Sequence, residues 1–132
     1  MAEALDTHGT AFKNGSATLM ARIVGPDAGN ITQADIDTVA YSVYLLDDQN
    51  ADNRTSVEGH SSVALTVADV IFDTLQTNAV WTVDATGYNF LHVLDVSEHQ
   101  AFAVAGRRYL VEYQLTPTDG QVILVRFRLN VT

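Results

Sequence analysis

Apolar and polar residues alternate along most of this chain with a period of two. Residues 17–24 put Ala17, Leu19, Ala21 and Ile23 on one side and Thr18, Met20 and Arg22 on the other, which predicts a half-buried strand. Gly25-Pro26-Asp27-Ala28-Gly29-Asn30 breaks that run. Residues 31–36 read as a lead-in with a short turn that Thr32 can cap. Residues 39–46 predict the next strand: Val39, Tyr41, Val43 and Leu45 share a face, while Tyr44 and Leu46 make the other face partly apolar. A polar loop over 47–54 leads to a weaker strand over 57–65, bulged or bent at Gly59.

The period then changes. Thr66-Val67-Ala68-Asp69 has the form of a capping box with Asp in place of Glu, and Val67, Val70, Ile71 and Thr74 follow helical spacing. A short helix over 67–75 is expected, too short to stand without the rest of the fold. Val80-Trp81-Thr82 reads as a short strand, residues 88–94 as a central strand apolar on both faces, and residues 97–106 as a connection or a turn of helix. The clearest element is the closing hairpin. Tyr109, Val111, Tyr113 and Leu115 alternate with Leu110, Glu112 and Gln114, Thr116-Pro117-Thr118-Asp119-Gly120 supplies a turn, and Ile123, Val125, Phe127, Leu129 and Val131 alternate with Leu124, Arg126 and Arg128. A slip of one residue would expose the whole apolar set, so the register is well specified.

Six to seven short strands with one crossing helix predict an all-β chain folded as an antiparallel β-sandwich. The cysteine–tryptophan–cysteine core of antibody domains is missing, and Trp81 is a candidate for the large core anchor. Residues 1–16 are small and polar without a period. They read as an extended N-terminal arm, either a disordered terminus or a segment ordered by a partner, ahead of a sandwich domain over 17–132.

Composition narrows the chemistry. At 132 residues and 47% hydrophobic, the chain can bury one core without staples. With no cysteine it has no disulfide, thiolate metal site or cysteine nucleophile. No apolar run approaches the length of a membrane-spanning helix, and Met1 to Asp6 lacks the basic-then-apolar pattern of a signal peptide. Seven Lys/Arg against sixteen Asp/Glu give a net charge of −9, which disfavours bare nucleic acid and anionic membranes and suits a basic partner surface.

No catalytic, cofactor or metal set emerges. His8, His60, His92 and His99 lack metal-ligand spacing, so His92 is expected to pack within its strand and the others to be solvated. Ser61-Ser62 beside His60 lacks the elbow of a serine hydrolase, and Asp47-Asp48 lies in a loop with no pocket to raise a pKa. Asp48-Gln49-Asn50-Ala51-Asp52-Asn53 opens like a calcium loop, but Gly59 stands where a bidentate Glu belongs. A polar loop is the simpler reading, with a weak calcium site as the alternative. Arg107, Arg108, Arg126 and Arg128, with Glu112 opposite, read as cross-strand pairs on a solvated face or as an electrostatic contact with a neighbouring subunit.

Three stretches resemble small tailed-bacteriophage virion structural proteins with immunoglobulin-like β-sandwiches. These are Ile31-Thr32-Gln33-Ala34-Asp35-Ile36 with residues 39–46, residues 63–90 with the Gly87-Tyr88-Asn89-Phe90 strand entry, and the closing hairpin. The resemblance covers residues 31–131 and lies in strands and turns, so it carries over no functional residue. It implies an immunoglobulin-like fold and a non-enzymatic role in the virion. The foremost expectation is a capsid decoration or cement protein that binds the major capsid protein or other virion proteins and forms a homo-oligomer within the assembly. Neck, tail or baseplate component is the alternative. A carbohydrate- or calcium-binding surface module is the second, and it would need an exposed aromatic platform, which Tyr41, Tyr113 and Trp81 are poorly placed to give.

Overall fold

The computed structural model describes residues 3–25, 29–50, 53–78, 81 and 84–132, with the backbone alone for residues 3–8. Among the described residues there are nine strands: β1 (Glu3–Ala11), β2 (Thr18–Ala21), β3 (Ile36–Leu46), β4 (Arg54–Ser56), β5 (Val63–Leu65), β6 (Ile71–Gln76), β7 (Tyr88–Val93), β8 (Arg108–Pro117) and β9 (Ile123–Val131). One helical turn, α1 (Val67–Val70), and a 3-10 turn at Gln33–Asp35 complete the set.

The large sheet runs β1-β9-β8-β3-β4, with β5 also paired to β3, and the small sheet runs β2-β7-β6. This is the strand arrangement of an immunoglobulin-like sandwich: β9, β8, β3 and β4 take the places of strands G, F, C and C′, and β2, β7 and β6 those of B, E and D, while β5 returns to β3 and no strand takes the place of C″ among the described residues. The closing hairpin forms in the register its alternation demands, from Arg108↔Asn130 to Leu115↔Ile123. Gly120 takes φ 109° in its turn, a conformation that favours glycine.

Alternation also sets the core. Val39, Tyr41, Val43, Val111, Tyr113, Val125 and Phe127 of the large sheet meet Leu19, Ala21, Ile71 and Phe90 of the small one. Tyr113 sits at the centre, with ring centroids of Phe90, His92, Phe127 and Tyr41 at 4.8, 5.4, 5.8 and 5.9 Å. At the start of β8, the Tyr109 hydroxyl accepts the Val104 N–H at 3.1 Å, the tyrosine corner of immunoglobulin folds. Val111, two residues on and fully buried, stands where antibody domains carry the second cysteine.

Four expectations change. The helix over 67–75 is a single turn, and Ile71–Gln76 is strand β6, because Ile71 pairs with Phe90 and Gln76 with Tyr88. The strand expected over 57–65 is interrupted: pairing with β3 begins at Arg54–Ser56, at the end of the loop expected over 47–54, stops at the turn where Gly59 takes φ 82°, and resumes at Val63–Leu65. Trp81 is not the core anchor: it is half-buried outside the strands, its indole N–H donating to Asp84 Oδ1 at 3.0 Å and its ring 5.5 Å from Tyr88. The interior position falls to Tyr41 on β3. The arm, read as disordered or partner-bound, is a strand over Glu3–Ala11 that pairs in parallel with β9 of its own chain. Of the short strand expected at 80–82, Val80 and Thr82 lie outside the described residues.

Candidate functional site

The alternation that buries Tyr109, Val111 and Tyr113 sends Arg108, Leu110, Glu112 and Gln114 to the outer face of the large sheet. On β9 the same rule turns Leu124, Arg126 and Arg128 outward, and on β3 Ala40, Ser42 and Tyr44. Register lines these up in rows: Ala40, Gln114 and Leu124; then Ser42, Glu112 and Arg126; then Tyr44, Leu110 and Arg128. Beyond β9, Asp6 and His8 of β1 stand in register with Arg126 and Arg128.

Arg54 of β4 completes the face. It is exposed, its guanidinium carbon lies 4.1 Å from the Tyr44 ring centroid, and it reaches Glu112 Oε2 at 3.8 Å. Arg126 Nε donates to the same oxygen at 2.8 Å. The seven Lys/Arg of the chain thus divide unevenly, with four of them (Arg54, Arg108, Arg126 and Arg128) on this one sheet face. Among the described side chains in its three rows, Glu112 is the one carboxylate. Arg107 turns instead to the sheet's end, its Nε 2.9 Å from Asp48 Oδ1 without hydrogen-bond alignment and its Nη2 donating to the Leu46 carbonyl at 2.9 Å. On a molecule of net charge −9, this face is a local reversal of sign. Guanidinium forks held on a rigid sheet present paired donors suited to carboxylates.

The other sequence candidates go elsewhere. His60, expected in solvent, is 2% exposed. Its Nε2–H donates to the His99 carbonyl at 2.8 Å, which leaves Nδ1 to accept the Tyr41 hydroxyl proton at 2.7 Å. His92 packs from its strand as expected, with Nδ1 2.6 Å from the Tyr113 hydroxyl. Burial, with His60 nearby, pushes His92 down to about 4. Burial first, then Tyr41, pushes the Tyr113 hydroxyl well up. The four rings form a structural network between the sheets, and both histidines are turned to tyrosines rather than to Ser61 or Ser62. Ser62 N–H donates to Ser42 Oγ at 2.8 Å. The ring of His99 lies against Gly59, and the side chain of His8 is outside the described residues.

In the loop after β3, Asp47 Oδ1 accepts the Gln49 and Asn50 amides at 2.8 and 3.2 Å, and those bonds hold its carboxyl below the usual range. Asp48 faces Arg107, and Ala51 and Asp52 lie outside the described residues. Among the described residues no group of three His or acidic side chains is placed to hold a metal ion. No helix among them is long and apolar enough to cross a membrane.

A cleft of about 390 Å³ opens between the β2–β3 connection and the β8–β9 turn, lined by Ile31, Ile36, Pro117, Ile123, Asp35 and Asp119 with three glycines and Thr118. Its lining has no aromatic ring, and Tyr41 and Tyr113 are buried, so neither supplies the platform a sugar would stack on. Sequence reasoning reached Arg126, Arg128 and Glu112 but missed Arg54 and Tyr44, whose meeting depends on how β4 folds back on β3. No protein-family model, no curated protein and no solved structure matches this chain.

Proposed function

We propose that this protein is a non-enzymatic virion structural protein, a capsid decoration or cement protein that docks through the arginine face of its large sheet onto an acidic surface of the major capsid protein. The observation that carries the docking is the segregation of Arg54, Arg108, Arg126 and Arg128 onto one face of an acidic chain. The virion setting rests on the resemblance of residues 31–131 to small phage structural proteins. A neck, tail or baseplate position would use the same face on another virion partner. The net charge of −9 turns the reading away from bare nucleic acid and from anionic membrane.

The test adds purified protein to capsids that lack it and measures occupancy against salt. Occupancy of the natural protein falls as the salt passes from about 0.05 to about 0.5 M, where exposed charges are screened beyond a few ångströms. An Arg126→Glu/Arg128→Glu variant, checked for its fold by circular dichroism, loses binding by at least tenfold at the lower salt. Undiminished occupancy of that folded variant would overturn the proposal.

A further inference from the structure

The strand β1 is held differently from every other strand of the large sheet. It lies at the edge and pairs with β9 alone, in parallel, from Glu3↔Ile123 to Ala11↔Val131. Its sequence, Glu-Ala-Leu-Asp-Thr-His-Gly-Thr-Ala, has a single large apolar residue and is rich in types that sheets disfavour. By contrast, β9 alternates Ile123, Val125, Phe127, Leu129 and Val131, all buried, and is a strong template for pairing. A weakly anchored strand on a strongly templating edge belongs to the parts of a fold that open first.

The connection that follows has the marks of a hinge. Asn14 takes φ 59°, in the left-handed region, and its N–H donates to the Phe102 carbonyl at 2.8 Å. Gly15 N–H closes the turn on the Phe12 carbonyl at 2.9 Å. The Phe12 side chain projects at this point and is 74% exposed, the most exposed of the large apolar side chains described. Beyond it the chain is fixed again: the Ser16 hydroxyl donates to the Leu94 carbonyl, and the Leu94 N–H donates to the Ala17 carbonyl at 2.9 Å. Opening the turn releases the left-handed residue, and the five residues 12–16, extended, span about 16 Å.

We propose that β1 is an exchangeable strand, paired with β9 of its own chain in the monomer and with β9 of a second copy in the assembled protein. The occupant is a second copy because the vacated edge keeps the register and pleat that fit this β1, so the swapped ladder repeats the closed one pair for pair. The exposed Phe12 then lies at the crossing between copies, where it can be covered. This goes beyond the docking face described above and stands on a different observation.

Because the chain has no cysteine, the exchange can be read by placed thiols. Thr10 and Asn130 are register partners with exposed side chains on neighbouring strands about 4.8 Å apart, within reach of a disulfide. Thr10→Cys protein is incubated with Asn130→Cys protein at high concentration without any capsid, and then oxidised. Exchange yields a heterodimer joined by a disulfide between positions 10 and 130, identified by peptide mass. The control pairs Thr10→Cys with Thr74→Cys, exposed on β6 of the small sheet, and gives only the collisional background. Asn14→Gly, which relaxes the closed hinge, lowers the heterodimer yield, and Phe12→Ala does the same. A heterodimer from the Thr10→Cys and Asn130→Cys pair no more abundant than the control overturns the proposal. That result would leave the capsid-binding test unaffected, since the exchange assay contains no capsid.

Discussion

The Tyr113 hydroxyl lies 2.6 Å from His92 Nδ1, and this contact ties the large sheet to the small one through the middle of the core. Burial keeps Tyr113 protonated, so its hydroxyl donates and the ring nitrogen accepts. A proton on Nδ1 would break this arrangement. The unfolded chain binds that proton near the ordinary 6.5, whereas burial delays it in the folded chain to about 4. Stability present above pH 6.5 is therefore lost progressively down to about pH 4. The expected loss is about 1–2 kcal/mol, less than the full shift implies, since the ring is only partly buried. Urea denaturation at half-unit pH steps should show this slope, and His92→Phe should flatten it. A second decline belongs to Asp47, Asp84 and Asp95, whose carboxyls are held below the ordinary 3.8, and it sets in only below that pH. The Trp81 indole N–H is the main cause at Asp84, and the Ser97 hydroxyl at Asp95.

The hairpin and β3 were legible in the sequence because period-two alternation and a one-sided core are the same fact seen twice. Strand β6 was not. Val67, Val70, Ile71 and Thr74 satisfy helical spacing, yet Ile71 is drawn into the ladder by Phe90, well beyond the reach of any local pattern. Strand β1 was illegible for a related reason: nothing in its small, polar residues signals pairing, which β9 imposes from the far end of the chain. Asn89 was passed over as a strand-entry residue. Its buried side chain accepts the Ile23 N–H at 2.7 Å and donates to the Ile23 carbonyl at 3.0 Å, satisfying backbone groups of the chain beyond β2. The arginine face was half legible, since alternation placed Arg126 and Arg128 outward but could not bring in Arg54.

The tyrosine corner supplies a second prediction. Removing the Tyr109 hydroxyl leaves the Val104 N–H without its acceptor while the ring keeps its packing against Phe102, 5.4 Å away. Tyr109→Phe should destabilise the fold by about 1–2 kcal/mol in urea, with an unchanged denaturant slope. A cost near zero would mean that the hydroxyl is not what closes the corner.

Two glycines with nearly the same backbone separate conformational strain from collision. Gly87 and Gly120 have φ 108° and 109°. A Cβ at Gly87 would come 2.4 Å from the Gln76 carbonyl oxygen, whereas at Gly120 nothing lies within 4 Å. Gly120→Ala should cost about 1 kcal/mol, from the left-handed backbone alone. Gly87→Ala should cost more than about 2 kcal/mol, because backbone must move at the β6–β7 junction. Equal losses in thermal or urea unfolding would show that the junction gives way freely.

Glu112 offers the sharpest link between fold and function, because its two roles have opposite signs. Its carboxylate binds Arg126 at 2.8 Å and faces Arg54 at 3.8 Å, and it is the less exposed partner in both pairs. A double-mutant cycle with Glu112→Gln and Arg126→Gln should give a coupling of about 0.5–1 kcal/mol, shrinking as salt is raised. On stability alone, then, Glu112→Gln is mildly harmful. On the docking face it removes the carboxylate that competes with an acidic partner for the same guanidinium groups. The variant should therefore bind the capsid several-fold more tightly at low salt while unfolding at a lower urea concentration. If Glu112 and its arginines were only a cross-strand brace, stability would fall and binding would stay where it was.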